Sequence, residues 1–178
     1  MNCYNILDEK VFVTYFEPFG GRNTNASKEV VSLLKDYQVF ELPVSWEKVP
    51  SIIDDLINDK PDYLFMIGEA DSYKEITIEK IAHNIAHGVD NSGANKDNEP
   101  IINGGTDALT TTFDLSKLPY RISENAGKYL CNYTYYQALL KTKKTKVLFI
   151  HLPYIDETNN TLTNLKDTLS NIIEELIK

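Results

Sequence analysis

Only two cysteines occur, Cys3 and Cys131, too few for the framework of bridges that holds small exported domains together. That scarcity suits a reducing compartment. No apolar stretch approaches the ~20 residues needed to cross a bilayer, and the N-terminal segment has no basic region followed by an apolar one. The expectation is a chain that is neither exported nor membrane-bound and resides in the cytoplasm. Positive charge is scarce as well: 18 Lys and Arg stand against 26 Asp and Glu, a net charge of -8. A surface for the phosphate backbone is built from excess cations, so nucleic acid is excluded as a partner, as is a membrane. The strongest basic run, Lys141 to Lys146, follows an apolar stretch and reads as the cationic end of a helix. There is no internal repeat and no linker.

What is present is enough for one well-filled core. With 178 residues, 42% of them hydrophobic, the chain is expected to form a single domain over 1–178. Short apolar runs alternate with longer periodic stretches. Val11-Phe12-Val13 reads as a strand and Ser27 to Lys35 as a helix with Val30, Val31, Leu33 and Leu34 on one face. Val39 to Val44 is a second strand, Glu47 to Asn58 a second helix, and Asp62 to Ile67 a strand apolar enough to be buried on both faces. From Gly88 to Thr112 the chain is rich in Gly, Asn and Asp, which predicts a long loop or a pair of short hairpins. Tyr133 to Lys143 then reads as a helix, Lys146 to His151 as a buried strand, and Leu162 to Ile177 as a closing helix. Helices between apolar strands need crossover connections, so the fold class is α/β: a three-layer α/β/α sandwich on a mostly parallel sheet. Ligands gather at the carboxyl ends of such strands, where Phe16 to Gly21, Gly68 to Asp71 and His151 fall.

Several of these residues can do chemistry. His151 ends the apolar strand and offers an imidazole at the rim of the sheet, the place for a general base; alone, it could equally be a histidine satisfied by the next loop. Cys131 follows the Gly127 turn that delivers the chain into a helix, where unpaired backbone N–H groups favour a thiolate, and Lys128 is near enough in sequence to add to this. Taken without its neighbours it could be a small buried hydrophobe. Glu79 lies in a segment whose first half alternates like a strand and whose second half could be helical. Most Glu residues are ordinary surface carboxylates. As a helix the segment would align Glu79, His83 and His87 for a metal; as a strand it would spread them too far apart. Phe16-Glu17-Pro18-Phe19-Gly20-Gly21 puts two aromatics on a tight turn, and it lacks the spacing and the Lys of a phosphate loop.

Together these segments resemble the pyroglutamyl peptidase I family, the pyrrolidone carboxyl peptidases. The matching pieces are Val13 to Gly21, Asn25-Ala26-Ser27, Glu41 to Trp46, Ile76 to Asn84, Asp90-Asn91-Ser92-Gly93, Ala126 to Asn132 and Phe149 to Tyr154. They occur in the family's order. The resemblance implies a cysteine exopeptidase that removes N-terminal pyroglutamate from peptides through a thioester intermediate, with Glu79, Cys131 and His151 as the triad. It calls for no metal or cofactor. It further implies Phe16 and Phe19 as ring-binding aromatics, Asn25 as a shaper of the same loop, and Glu69 in the substrate pocket. A homo-oligomer is suggested by the resemblance, without an interface.

The sequence also departs from the family pattern. A Gly-Gln-Ala-Gly-Gly-Arg type segment is here Gly68-Glu69-Ala70-Asp71-Ser72-Tyr73, exchanging an amide for a carboxylate and losing an Arg. The stretch between Glu79 and Asp90 is about two residues short and lacks a basic residue, for which Lys128 is the available substitute. The helix expected before the Cys segment is largely missing. Two other readings stay open at this point: a related cysteine hydrolase acting on another N-acyl or lactam substrate, and a non-enzymatic descendant of the fold.

Overall fold

The structure, a computed structural model, describes residues 9–178. Cys3 lies outside the described residues. In chain order the elements are β1 (Val11–Phe16), α1 (Ala26–Val31), β2 (Gln38–Leu42), α2 (Val49–Asn58), β3 (Tyr63–Glu69), β4 (Thr77–Glu79) and β5 (Ile81–His83). They continue with β6 (Ala86–Val89), β7 (Asn95–Glu99), β8 (Ala108–Thr110), β9 (Arg121–Ser123), α3 (Leu130–Lys141), β10 (Lys146–Leu152) and α4 (Leu162–Leu176).

The central sheet has six strands in the order β2-β1-β3-β10-β4-β9. All its pairs are parallel except β10 with β4. Because side chains alternate across a strand, each central strand feeds two cores. Phe65, Ile67, Leu148 and Ile150 pack with α1 and α4 on one face. Leu64, Met66, Val147 and Phe149 pack with α2 and α3 on the other. This is the three-layer architecture that the alternating pattern predicts.

The helices follow from local chemistry. Asn25 caps α1, its Oδ1 accepting from the Ser27 N–H at 2.9 Å. Thr161 caps α4, whose Leu165, Leu169, Ile172 and Ile173 form the buried stripe. α3 is different: Asn132 and Tyr133 through Ala138 are all buried, so it lies inside the molecule rather than on its surface. Asn132 ties it down, accepting from the His83 N–H and donating to the carbonyls of His83 and Ile85, all at 2.8–2.9 Å. At its cationic end, Lys141 pairs with Asp54 of α2 at 2.8 Å.

Several sequence-based expectations shift. α1 stops at Val31, because Leu33 and Leu34 make the tighter i→i−3 bonds to Val30 and Val31. α3 starts at Leu130, so Cys131 lies in its first turn rather than ahead of it. The segment after Glu79 is not helical: β5 continues in extended form and pairs with β8. The Gly-rich excursion folds as the β6–β7 hairpin followed by the return strand β8. Between β8 and α3 there is only the short strand β9, anchored upstream by buried Phe113 and Leu115.

Candidate active site

Strand register delivers the reacting groups to one side of the sheet. His151 has the same parity as Val147 and Phe149, so it faces α3, and it pairs across β3 with Gly68. Glu79 sits opposite Phe149 on the antiparallel neighbour β4, diagonal to His151 and on the same face; diagonal partners of this kind are within reach of long side chains. The His151 Nδ1 and Glu79 Oε1 are 2.8 Å apart, with both side chains buried. Cys131 approaches from α3, half-buried. Its sulfur lies above Gly68: a Cβ at that position would come within 2.8 Å of Sγ. Glycine is needed there for close approach.

The electrostatics bind the three together. Burial pushes the His151 imidazole down, but the charge and hydrogen-bonding of Cys131, followed by Glu79, outweigh it and raise its pKa to about 9. Burial raises Glu79, and the hydrogen bond and charge of His151, with smaller help from Ser123 and Tyr73, bring it below its ordinary value. Both shifts favour an imidazolium paired with the Glu79 carboxylate. At the helix start, the first N–H groups of α3 have no intrahelical acceptor and carry partial positive charge.

Cys131 and His151 open on a cavity of about 310 Å³, with Glu79 buried behind His151. Phe16, Phe19, Val44, Ala126, Tyr129 and Leu130 give it apolar walls, with Cys131 and His151 at one side. Phe19 packs on Tyr129 with ring centroids 6.1 Å apart. Burial pushes the Tyr129 phenol up to about 12, so it remains a neutral donor to the Val89 carbonyl at 2.7 Å. Asn25 and Glu69 also line the cavity, although their polar atoms serve the wall itself. Asn25 accepts from Ser27 and donates to the Glu17 carbonyl. Glu69 accepts from the Ala26 N–H at 2.7 Å and is paired with Arg22.

All seven residues expected from the sequence thus meet at one place. The metal arrangement of Glu79, His83 and His87 does not form, because those residues lie on three successive strands. Lys128 lines the cavity, but its ammonium bonds Asn98 Oδ1 at 3.0 Å on the opposite hairpin. It is therefore engaged away from the thiol it was expected to assist. Two residues were missed. Arg22 neutralises Glu69 and lies 4.4 Å over the Tyr154 ring. Tyr73 donates its hydroxyl to Glu79 Oε1 at 2.9 Å. The signal for Arg22 was the carboxylate replacing an amide at position 69, which needed a cation that only the fold could identify.

The family model for pyroglutamyl peptidases matches residues 9–174. The chain belongs to the pyroglutamyl peptidase family. A pyrrolidone-carboxylate peptidase of Pyrococcus furiosus is 37% identical, covering 83% of this chain and 82% of that protein. Its counterpart in Thermococcus onnurineus is 35% identical over 83% of this chain and 85% of its own length. Among solved structures, the pyrrolidone carboxyl peptidase from Thermus thermophilus superposes with a TM-score of 0.83 at 29% identity, covering 92% of this chain and 98% of that one. Family membership makes this chain a cysteine-type peptidase of the α/β class. No helix among the described residues is long and apolar enough to cross a membrane.

Proposed function

We propose that the chain, acting as one domain in the cytoplasm, removes pyroglutamate from the N-terminus of peptides, with Cys131 as nucleophile, His151 as acid and base, and Glu79 as the group that orients the imidazole. The observation that carries this reading is the His151–Glu79 contact of 2.8 Å beside a sulfur at a helix start. The Cys131 thiolate attacks the pyroglutamyl carbonyl carbon. The negative charge that develops on the carbonyl oxygen is met by N–H groups of the first turn of α3. His151, already protonated, gives its proton to the leaving amine, and the C–N bond breaks to leave a thioester. Water then enters, His151 takes its proton, and hydroxide adds to the thioester to release free pyroglutamate and restore the thiolate. Glu79 keeps Nδ1 protonated throughout, so that Nε2 handles the transferred proton.

The substrate ring is a neutral lactam. A cavity with aromatic walls suits it, and of the two carboxylates in the wall the buried one, Glu69, is paired with Arg22, while Asp71 is exposed to solvent. A free α-ammonium would find no uncompensated carboxylate in the buried part of the wall. The test is release of a fluorophore from a pyroglutamyl amide, set against free-amine glutamyl and prolyl amides. Turnover of the pyroglutamyl compound alone, lost in Cys131→Ala, is expected. Equal turnover of prolyl amide rejects the lactam specificity, and activity in Cys131→Ala rejects the cysteine mechanism.

A further inference from the structure

We propose that Tyr73 is a positioning residue of this catalytic site, its hydroxyl fixing which oxygen of Glu79 holds His151. The inference rests on the triad reading above and adds a fourth member to it. Glu79 is fully buried, yet its two oxygens are treated unequally. Oε1 accepts from His151 Nδ1 at 2.8 Å and from the Tyr73 hydroxyl at 2.9 Å. Oε2 is buried with no hydrogen-bond partner among the described residues. A carboxylate bound only through His151 can rotate about its last bond and trade one oxygen for the other, moving the imidazole with it. Two donors on one oxygen remove that freedom.

The tyrosine is itself held in place. Its hydroxyl lies 3.2 Å from Ser123 Oγ, which accepts from the Asn125 N–H at 3.0 Å. Its ring meets His151 edge-on with centroids 5.6 Å apart. The Arg121 guanidinium lies over the same ring, its central carbon 4.8 Å from the ring centroid, and brings a cation close to the Glu79 carboxylate's partner. Tyr73 is in the loop between β3 and β4, while Ser123 and Arg121 are on β9, the strand beside β4. The edge strand therefore supports the triad from within the sheet, beside β4. Besides these, Glu79 is faced by Tyr135 of α3, whose hydroxyl bonds its main-chain oxygen at 2.9 Å, and, behind His151, by Cys131.

The sign of the effect follows from the dipole. The Tyr73 O–H places its positive end on Glu79, so its loss makes the site more negative and shifts the protonation of Glu79 and His151 to higher pH. In Tyr73→Phe the ring and its stacking remain while the donor is gone. We expect kcat to fall about tenfold with KM changed less than twofold, and both limbs of the pH–rate profile to move to higher pH. Site-specific 3,5-difluorotyrosine at position 73, a stronger donor of the same shape, moves both limbs the opposite way. This second variant covers the case in which Tyr73→Phe folds poorly, since loss of folded protein lowers the amount of activity without moving either limb. Unmoved limbs in the difluoro variant, or parental kcat and limbs in a folded Tyr73→Phe, overturn the proposal. Cys131→Ala separates the two levels: if it is inactive while the Tyr73 variants behave as the parent, only the positioning role fails. Turnover in Cys131→Ala overturns the triad and the positioning role together.

Discussion

Gly68 lies directly beneath the thiol of Cys131: a Cβ added at Gly68 would come within 2.8 Å of Sγ and within 2.8 Å of the Phe149 ring. Real Cβ atoms do not approach that closely, so Gly68→Ala must displace the sulfur, the ring, or both. Overpacking of this kind costs about 1–3 kcal/mol. The expected outcome is a moderate loss of stability in urea together with a larger loss of iodoacetamide reactivity at Cys131. A variant that loses stability but alkylates as fast as the parent would show that the ring gave way and the sulfur did not.

The protonation of His151 gives a second prediction. Its folded-state pKa, raised to about 9, lies above the ~6.5 of an unfolded histidine. The resulting stabilisation is complete below about pH 6.5 and is lost as pH rises through about 9. Glu79 shifts the other way: its contribution is present above its unfolded value of ~4.5 and is lost as pH falls through its lower folded value. Burial opposes the shift of His151, and Cys131 is the strongest of the influences that raise it. Imidazole NMR of Cys131→Ala should therefore show His151 titrating well below the parent midpoint. An unchanged midpoint would mean that thiol and imidazole do not share a proton.

The two phenylalanines of the cavity should separate by burial. Phe19 is half-buried and packs mainly on Tyr129. Shortening it to Ala should cost on the order of 1–3 kcal/mol in kcat/KM with little change in stability. Phe16 is 3% exposed and belongs to the core shared with α2 and α3. Phe16→Ala should add a stability loss of about 3–5 kcal/mol from the cavity it leaves. Binding of a pyroglutamate-based inhibitor to each variant checks this, and unimpaired binding in both would move the ring pocket elsewhere.

The contrast between these residues shows how far the sequence could be read. The parallel core was legible because β3 and β10 are continuous apolar runs, and a strand buried on both faces has no other signature. Cys131, His151 and Glu79 were found through the motifs around them, and the parity of residues along β10 even determines that His151 faces α3. Glu79 was harder to place in a strand, since β4 and β5 are three residues each, too short for a period of two to be told from a helical one. Likewise β9 has no apolar alternation, with Arg121 and Ile122 both exposed; it exists because β4 offers it a partner. Tyr73 had no signal, and Arg22 only the indirect one of the carboxylate at position 69. Each acts on a carboxylate six or forty-seven residues away, and such pairings are made by topology rather than by local pattern.

The pair of Arg22 and Glu69 carries the remaining prediction. The Glu69 side chain is 1% exposed while that of Arg22 is 35% exposed, so the cation can reach water and the carboxylate cannot. Removing Arg22 leaves a buried anion with the Ala26 N–H as its remaining donor. A buried acceptor stripped of a partner costs about 1–3 kcal/mol, and a charged one falls at the upper end. Arg22→Met should therefore destabilise the protein and disturb the wall formed by Ala26, Asn25 and Glu69. Glu69→Gln removes the charge but keeps an oxygen for the Ala26 N–H, and it makes Arg22 an exposed, unpaired cation at little cost. The double variant Arg22→Met/Glu69→Gln should then be more stable than Arg22→Met alone, because the carboxylate that needed the guanidinium is gone. The cycle is read from urea midpoints of the four proteins, with KM for a pyroglutamyl amide measured alongside. Recovery of both midpoint and KM in the double variant means that Arg22 is there to neutralise position 69. Strictly additive losses would instead make the stacking of Arg22 on Tyr154 its main contribution.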